Sequence, residues 1–222
     1  MAILAVDLCG ETRDIVIDTL VIAGWAGRDK HAVQEHIDEL AALGVPPPAS
    51  TPIYYRVSHS RLTTATDLDF IGTASSGEAE CLLVNIDGEL WVGIGSDHTD
   101  REAETVGITL SKQMCDKPVG RSFWRFADVE GHWDELILRS TTIERGETMT
   151  YQDSPVSTLL PPRELVDGLA GGLPPGTAMF CGTVPVIGGI RGAEAFTAQL
   201  VDPVRERTLS HHYRVRTLAV AG

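Results

Sequence analysis

The sequence predicts one mixed, β-rich α+β domain with short peripheral helices. Apolar, β-branched runs bounded by turn residues outnumber the amphipathic segments, and the helical segments are short and scattered. No internal repeat or low-complexity linker divides the 222 residues, a length that suffices for one sizeable hydrophobic core.

Taken in order, residues 2–9 and 14–23 are apolar runs on either side of Cys9-Gly10-Glu11 and read as a hairpin. Residues 30–43 place Val33, Ile37, Leu40 and Leu43 at helical spacing and stop at Gly44 and three prolines, which makes them the clearest helix. His31, Glu35 and Asp38 fall on its solvent face. Pro46-Pro47-Pro48 opens an extended segment that runs through Pro52-Ile53-Tyr54-Tyr55-Arg56-Val57. Residues 79–86 and 89–95 flank Asp87-Gly88, a strong hairpin dipeptide. Thr99 to Glu104 begins a short helix that Ser96 or Thr99 caps. From about 122 to 158 the pattern is strand-like, broken at Glu130-Gly131 and at Arg145-Gly146-Glu147. Pro161 to Leu169 reads as a short helix with prolines at its start and Gly171-Gly172 after it. The remainder alternates strands with loops.

Composition excludes several functions. Lys and Arg total 18 against 31 Asp and Glu, a net charge of −13 with no basic run, so neither nucleic acid nor anionic membrane is an expected partner. The longest apolar stretches, such as Ala178 to Cys181, fall far short of the ~20 residues that span a bilayer. The segment Met1 to Asp7 has no basic residue before its apolar run and does not read as a signal peptide. Cys9, Cys81, Cys115 and Cys181 are far apart with no CxxC spacing, which suits reduced thiols in a cytoplasmic protein and not a disulfide frame or a zinc site. No GxSxG or P-loop is present, and His98 stands where Gly93-Ile94-Gly95 would need the third glycine of a dinucleotide fingerprint.

Chemistry gathers around Glu78-Ala79-Glu80. On a strand, alternate residues share a face, so the two carboxylates point at one spot and repel unless something positive lies between them. A hard divalent cation, Mg2+ or Mn2+, takes such oxygen ligands; the alternative is a pair that solvates a strand edge. Further carboxylates follow at the end of the next apolar run, in Ser96-Asp97-His98-Thr99-Asp100-Arg101.

Five ordered elements over roughly residues 50–185 resemble the fumarylacetoacetate hydrolase superfamily. They are Pro52 to Val57, Glu78-Ala79-Glu80, Ser96 to Glu102, Ser111-Lys112 followed by Pro118-Val119-Gly120, and Pro175 to Thr183. The chain departs from the family pattern at Ser96, Glu104, Thr177, Val184 and Arg56, which marks a divergent branch.

The resemblance implies a β-roll or sandwich domain of fumarylacetoacetate hydrolase-like type. Residues 1–50 would be an N-terminal hairpin and helix packed on a catalytic domain of residues 51–222, the two forming one structural unit. It implies Glu78, Glu80 and Asp97 as ligands of Mg2+ or Mn2+, and a homodimer. The substrate would be a small 2-oxo acid or β-dicarbonyl acid, cleaved hydrolytically at a C–C bond, with decarboxylation or isomerisation as the alternative. Lys112 would neutralise developing charge, while Arg101, Gly182, Thr183, Tyr55 and Arg56 would face the substrate. Each has a plainer reading: Lys112 as a surface lysine, Arg101 as the partner of an acid such as Asp97, Gly182-Thr183 as a strand-end turn, and Tyr55 and Arg56 as packing or surface residues.

For the general base, His59 stands ahead of His31 with Glu35 and of His36 with Glu39, whose helical spacing is common on solvent faces. His98 neighbours Asp97 on a strand, so the two point to opposite faces, which makes it a structural or supporting residue. His132, His211 and His212 read as packing or solvent-facing. Two rivals remain, a non-catalytic ligand-binding member of the fold and a metal-free β-rich domain.

Overall fold

The computed structural model describes residues 1–42 and 47–221. In the first half of the chain the strands are β1 (Ala2–Leu8), β2 (Glu11–Ile17), β3 (Thr19–Gly24), β4 (Ile53–Val57), β5 (Leu62–Thr63), β6 (Asp67–Ile71), β7 (Ser75–Ser76), β8 (Ala79–Ile86) and β9 (Glu89–Ser96). There follow β10 (Thr99–Asp100), β11 (Lys117–Pro118), β12 (Ser122–Arg125), β13 (Ile137–Glu144), β14 (Glu147–Pro155), β15 (Thr177–Thr183), β16 (Ala195–Asp202) and β17 (Arg207–Leu218). Four helices accompany them: α1 (Lys30–Ala42), α2 (Arg101–Glu104), α3 (Ile108–Met114) and α4 (Pro162–Gly168).

The strands form an eight-stranded mixed sheet in the order β2-β1-β12-β9-β8-β15-β3-β4 and a five-stranded sheet in the order β14-β13-β16-β17-β6, with two small ladders, β10-β7 and β11-β5. The fold is thus β-rich with few, short helices, as the sequence predicts. Alternation along β8 shows how the core is divided. Cys81 and Leu83 join Leu138, Phe196, Leu200 and Tyr213 between the two sheets, whereas Leu82, Val84 and Ile86 join Leu4, Ile17, Leu20 and Phe123 within the curl of the larger sheet. A strand buried on both faces must be apolar at successive positions, which is why β3, β8 and β15 read as continuous apolar runs. Asp87-Gly88 and Arg145-Gly146 both turn through positive φ, at 54°, 93°, 52° and 79° respectively, as tight hairpins of this twist require.

Strands β1, β2 and β3 enter the same sheet as β4, β8, β9, β12 and β15: β1 pairs with β12, and β3 lies between β15 and β4. Three local expectations need correction. Residues 14–23 are two strands, parted at Asp18, whose N–H donates to the Gly176 carbonyl at 2.8 Å. β2 folds back on β1, while β3 crosses to the far side of the sheet. The short helix after β10 is capped by Asp100, whose carboxylate accepts from Ala103 N, because Thr99 is already extended and paired with Ser76. Glu130-Gly131 lies within a run of 3-10 turns over Phe126–Glu135. Helix α3 has no clear periodicity in the sequence. Leu43, Gly44 and Pro46, where the sequence ends α1, and the side chains of His36 and Leu40 lie outside the described residues. Among the described residues no helix is long and apolar enough to cross a membrane.

Candidate metal centre

The open end of the β8–β9 hairpin builds the site. Glu80 lies opposite Gly95, and the chain continues past β9 with Asp97 N donating to the Glu78 carbonyl at 2.9 Å. Glu80 shares the parity of Leu82 and Val84, and Asp97 that of Trp91, so both emerge at the end of the inner core. One carboxylate oxygen from each of Glu78, Glu80 and Asp97 lies within 4.8 Å of the other two.

Three cations answer these charges. Lys112, on α3, donates to Asp97 Oδ2 and lies 3.7 Å from Glu78 Oε2. Lys117 Nζ is 2.9 Å from Asp97 Oδ1, but its hydrogen bond is directed to the His98 carbonyl at 2.5 Å. Asp97 Oδ1 is therefore a buried oxygen that accepts no hydrogen bond. Arg101 reaches Glu78 Oε1 at 3.0 Å, Glu104 Oε2 at 3.1 Å and Ser76 Oγ at 2.8 Å.

The charges set the protonation states. Burial drives the Glu80 carboxyl well above the usual range, and repulsion from Asp97 and Glu78 adds to this against the pull of Lys112. Burial acts the same way on Asp97, yet Lys112 and Lys117 outweigh it and hold the group at about 2. Lys112 loses by burial but gains more from Asp97, Glu78 and Glu80, so it is raised above the usual lysine range. An oxygen-only donor set, and repulsion at Glu80 that Lys112 and the Gly182 N–H offset only in part, fit a hard divalent cation of the Mg2+ or Mn2+ type.

Other expected site residues take varied places. Gly182, at φ 94°, donates its N–H to Glu80 Oε2 at 2.8 Å. Thr183 Oγ1 donates to the Ala79 carbonyl at 2.9 Å and accepts from Gln152 Nε2 at 2.8 Å, so its hydroxyl serves the strand junction. Arg101 pairs with Glu78 and Glu104, not with Asp97. Tyr55 is buried, with its ring 5.9 Å from Lys112 Nζ. Arg56 lies on the other face of β4, exposed and bonded to Thr19 Oγ1 at 3.3 Å, because neighbours on a strand alternate.

His59 Nε2 faces the Met1 amino group at 3.1 Å. Among the described residues, no hydrogen bond or ion pair joins it to the three carboxylates. His31 and Glu35 form an exposed pair 3.4 Å apart on α1. His98 stacks on Phe70 at 3.8 Å and meets the Tyr213 hydroxyl through Nδ1 at 2.9 Å. That hydroxyl donates to Ser96 Oγ, which in turn accepts from Glu78 N. His98 thus stands behind the site, supporting it.

Sequence reasoning missed Lys117 and Gln152. Lys117 directly precedes the Pro118-Val119-Gly120 element, a signal that was present. Gln152 accepts from Ala79 N at 3.0 Å and so ties β14 to the carboxylate strand, a contact that no local pattern announces.

A family model described as a protein of unknown function (DUF2848) matches residues 23–213, a span that holds every residue of the carboxylate cluster. The chain belongs to this family. No curated protein sequence matches the DUF2848 chain. Solved structures share its fold. One is a 2-keto-3-deoxy-D-arabinonate dehydratase complexed with magnesium and 2,5-dioxopentanoate, 14% identical over 94% of this chain and 77% of its own, with a TM-score of 0.64. Another is a fumarylacetoacetate hydrolase family protein from Yersinia pestis CO92, 14% identical over 98% of this chain and 100% of its own, with a TM-score of 0.60. A third is the fumarylacetoacetate hydrolase of Exiguobacterium antarcticum, 14% identical over 93% and 79%, with a TM-score of 0.58. The DUF2848 chain therefore has the fumarylacetoacetate hydrolase-like fold.

Proposed function

We propose that this protein is a divalent-cation-dependent enzyme that acts on a small 2-oxo acid or β-dicarbonyl acid at the carbon next to the oxo group. The convergence of the Glu78, Glu80 and Asp97 oxygens within 4.8 Å beside a buried lysine carries the reading. These carboxylates would hold Mg2+ or Mn2+. When bound, such a cation supplies Lewis-acid polarisation of a chelated oxo group.

The chain's own groups provide the rest. Three carboxylates keep Lys112 protonated, and its ammonium neutralises negative charge that develops on the substrate oxygen as a C–H or C–C bond breaks. Gly182 N–H fixes Glu80, and Arg101 fixes Glu78 against α2. Decarboxylation is the leading form, because the electron pair of the breaking C–C bond passes into the enolate and CO2 leaves without a base or an activated water; dehydration or tautomerisation would need in addition a base that takes the C–H proton. C–C hydrolysis is the second reading and would require in addition a base that activates water. The fold likeness to a dehydratase solved with magnesium supports the substrate class. Homodimeric assembly, which rests on resemblance, and a cytoplasmic location, which rests on the four unpaired cysteines, belong to the same proposal.

The test is deuterium exchange into the methyl group of pyruvate, followed by NMR with Mg2+, with chelator, and with Asp97→Asn. Exchange that needs both Mg2+ and Asp97 supports the reading. Exchange indifferent to both, or none alongside absent Mg2+ binding, defeats it.

A further inference from the structure

A proton acceptor for the carbon next to the oxo group is what dehydration and tautomerisation require beyond the groups already placed. Most polar groups around the carboxylate cluster are committed. Glu78, Glu80 and Asp97 form the cation site, and Lys112 gives its ammonium to Asp97. Asp100 caps α2, accepting from Ala103 N at 2.8 Å. Burial keeps the Tyr55 phenol and the Cys115 thiol protonated by raising both above their usual ranges. His98 stands behind the site, and His59 faces the Met1 amino group.

Glu104 is different. Side-chain exposure grows outward through the cluster, from none at Asp97 to 9% at Lys112, 15% at Glu78, 18% at Arg101 and 29% at Glu104. The site therefore opens on the Glu104 side. A single guanidinium joins this acid to the cation site: Arg101 Nη2 lies 3.0 Å from Glu78 Oε1, and its Nη1 donates to Glu104 Oε2 at 3.1 Å. The i,i+3 spacing puts Arg101 and Glu104 on one face of α2. Arg101 is itself anchored, its backbone N–H donating to the Ala74 carbonyl at 3.1 Å and its Nε to Ser76 Oγ at 2.8 Å. Among the described residues Glu104 Oε1 accepts no hydrogen bond, so one oxygen is held and the other is open to a proton. The charges of Lys112 and Glu104 both reach the Tyr55 hydroxyl, which places the acid and the ammonium in one neighbourhood.

We infer that Glu104 is the catalytic base, its free Oε1 taking the proton from the carbon next to the substrate's oxo group. The C–H electron pair becomes the C=C bond of the enolate, and the oxo π pair becomes negative charge on oxygen, which the Lys112 ammonium neutralises. The protonated Glu104 carboxyl, being partly exposed, trades its proton with solvent before returning one to carbon. This inference rests on the cation and oxo-acid reading above, and extends it from decarboxylation to reactions that begin with C–H cleavage.

The experiment measures deuterium exchange into the pyruvate methyl group with Mg2+, in the full chain and its variants, beside calorimetric binding of oxalate. Glu104→Gln keeps an oxygen for Arg101 but cannot take the proton. It should slow exchange by about a hundredfold or more while oxalate still binds with Mg2+. Glu104→Ala gives the same readout should the glutamine variant misfold. Glu102→Gln, which alters an exposed acid on the same helix, should exchange like the wild type. Exchange at the wild-type rate in a Glu104 variant overturns the role. So does joint loss of exchange and oxalate binding in a folded variant, which would make Glu104 a prop for Arg101 and Glu78. Wild-type protein that binds oxalate with Mg2+ yet exchanges no pyruvate proton overturns Glu104 as the base and leaves the cation site standing. Failure of the wild type to bind oxalate with Mg2+ overturns both readings.

Discussion

Gly182 gives its backbone N–H to Glu80 Oε2 over 2.8 Å from a residue at φ 94°. The pairing of β15 with β8 loses register between Phe180 and Thr183, and this irregularity aims the N–H at a carboxylate in place of a ladder carbonyl. Gly182→Ala meets two penalties, the positive φ and a Cβ 3.0 Å from Ala26 Cβ. Stability should fall by about 1–3 kcal/mol. Mg2+ affinity should fall on the order of tenfold, because Glu80 loses the bond that orients it. Denaturant titration reads the first and calorimetric Mg2+ titration the second. Unaltered Mg2+ affinity would reduce Gly182 to a strand-end device.

The three carboxylates differ in what neutralises them, so their amide variants should differ in sign. Glu80 is buried among like charges with only a backbone N–H and the pull of Lys112 against them. Glu80→Gln should therefore leave chelator-stripped protein as stable or more so. Asp97→Asn strands Lys112 and Lys117 without their partner and should cost about 3–5 kcal/mol. Both should abolish the Mg2+-dependent rise in thermal midpoint, which in the wild type corresponds to ~2.7 kcal/mol at a hundredfold excess over the dissociation constant. A surviving Mg2+ shift in both variants would mean that the cation binds elsewhere.

Lys112 competes with a cation for the same oxygens of Asp97 and Glu78. Replacing it with methionine, close in shape and uncharged, should tighten Mg2+ binding on the order of tenfold while slowing pyruvate exchange by about a hundredfold. Opposite movements of binding and rate are the signature of a residue that stabilises developing charge. If both weaken together, Lys112 serves to hold the carboxylates.

How much of this was legible follows from the range of each interaction. The β8–β9 hairpin and its carboxylates were readable because Asp87-Gly88, strand alternation and Glu78-Ala79-Glu80 are local features. Arg101 carried a second possibility, and its partners Glu78 and Glu104 emerge only once α2 folds back over β7. The break at Asp18 was hidden because apolar residues continue on both sides, and what separates β2 from β3 is a bond to Gly176, far along the chain. Gln152 and Lys117 act through contacts between distant strands and loops, which periodicity does not encode. The fold class was in the pattern, while the cations around Asp97 were in the topology.

His211 supplies a test of the five-stranded sheet that is independent of the cation site. Its ring is buried and stacks on Tyr213 at 6.0 Å, and the Ala65 backbone favours its protonated form. Burial, helped by the neighbouring charges of His212 and Arg121, lowers its pKa to about 4 against the opposing effect of the Ala65 backbone. The unfolded ring takes up a proton near pH 6.5, whereas the folded ring stays neutral until about 4, so the unfolded state binds more protons across that window. Stability should therefore rise with pH from about 4 to about 6.5 and be lost as the pH falls through the same range, by on the order of 2 kcal/mol from this residue. His211→Gln keeps a polar side chain without titrating and should flatten the slope by that amount. Urea titrations of both proteins at pH 7, 5.5 and 4.5 measure it. Equal slopes would show that His211 takes up its proton in the folded protein as readily as in the unfolded chain.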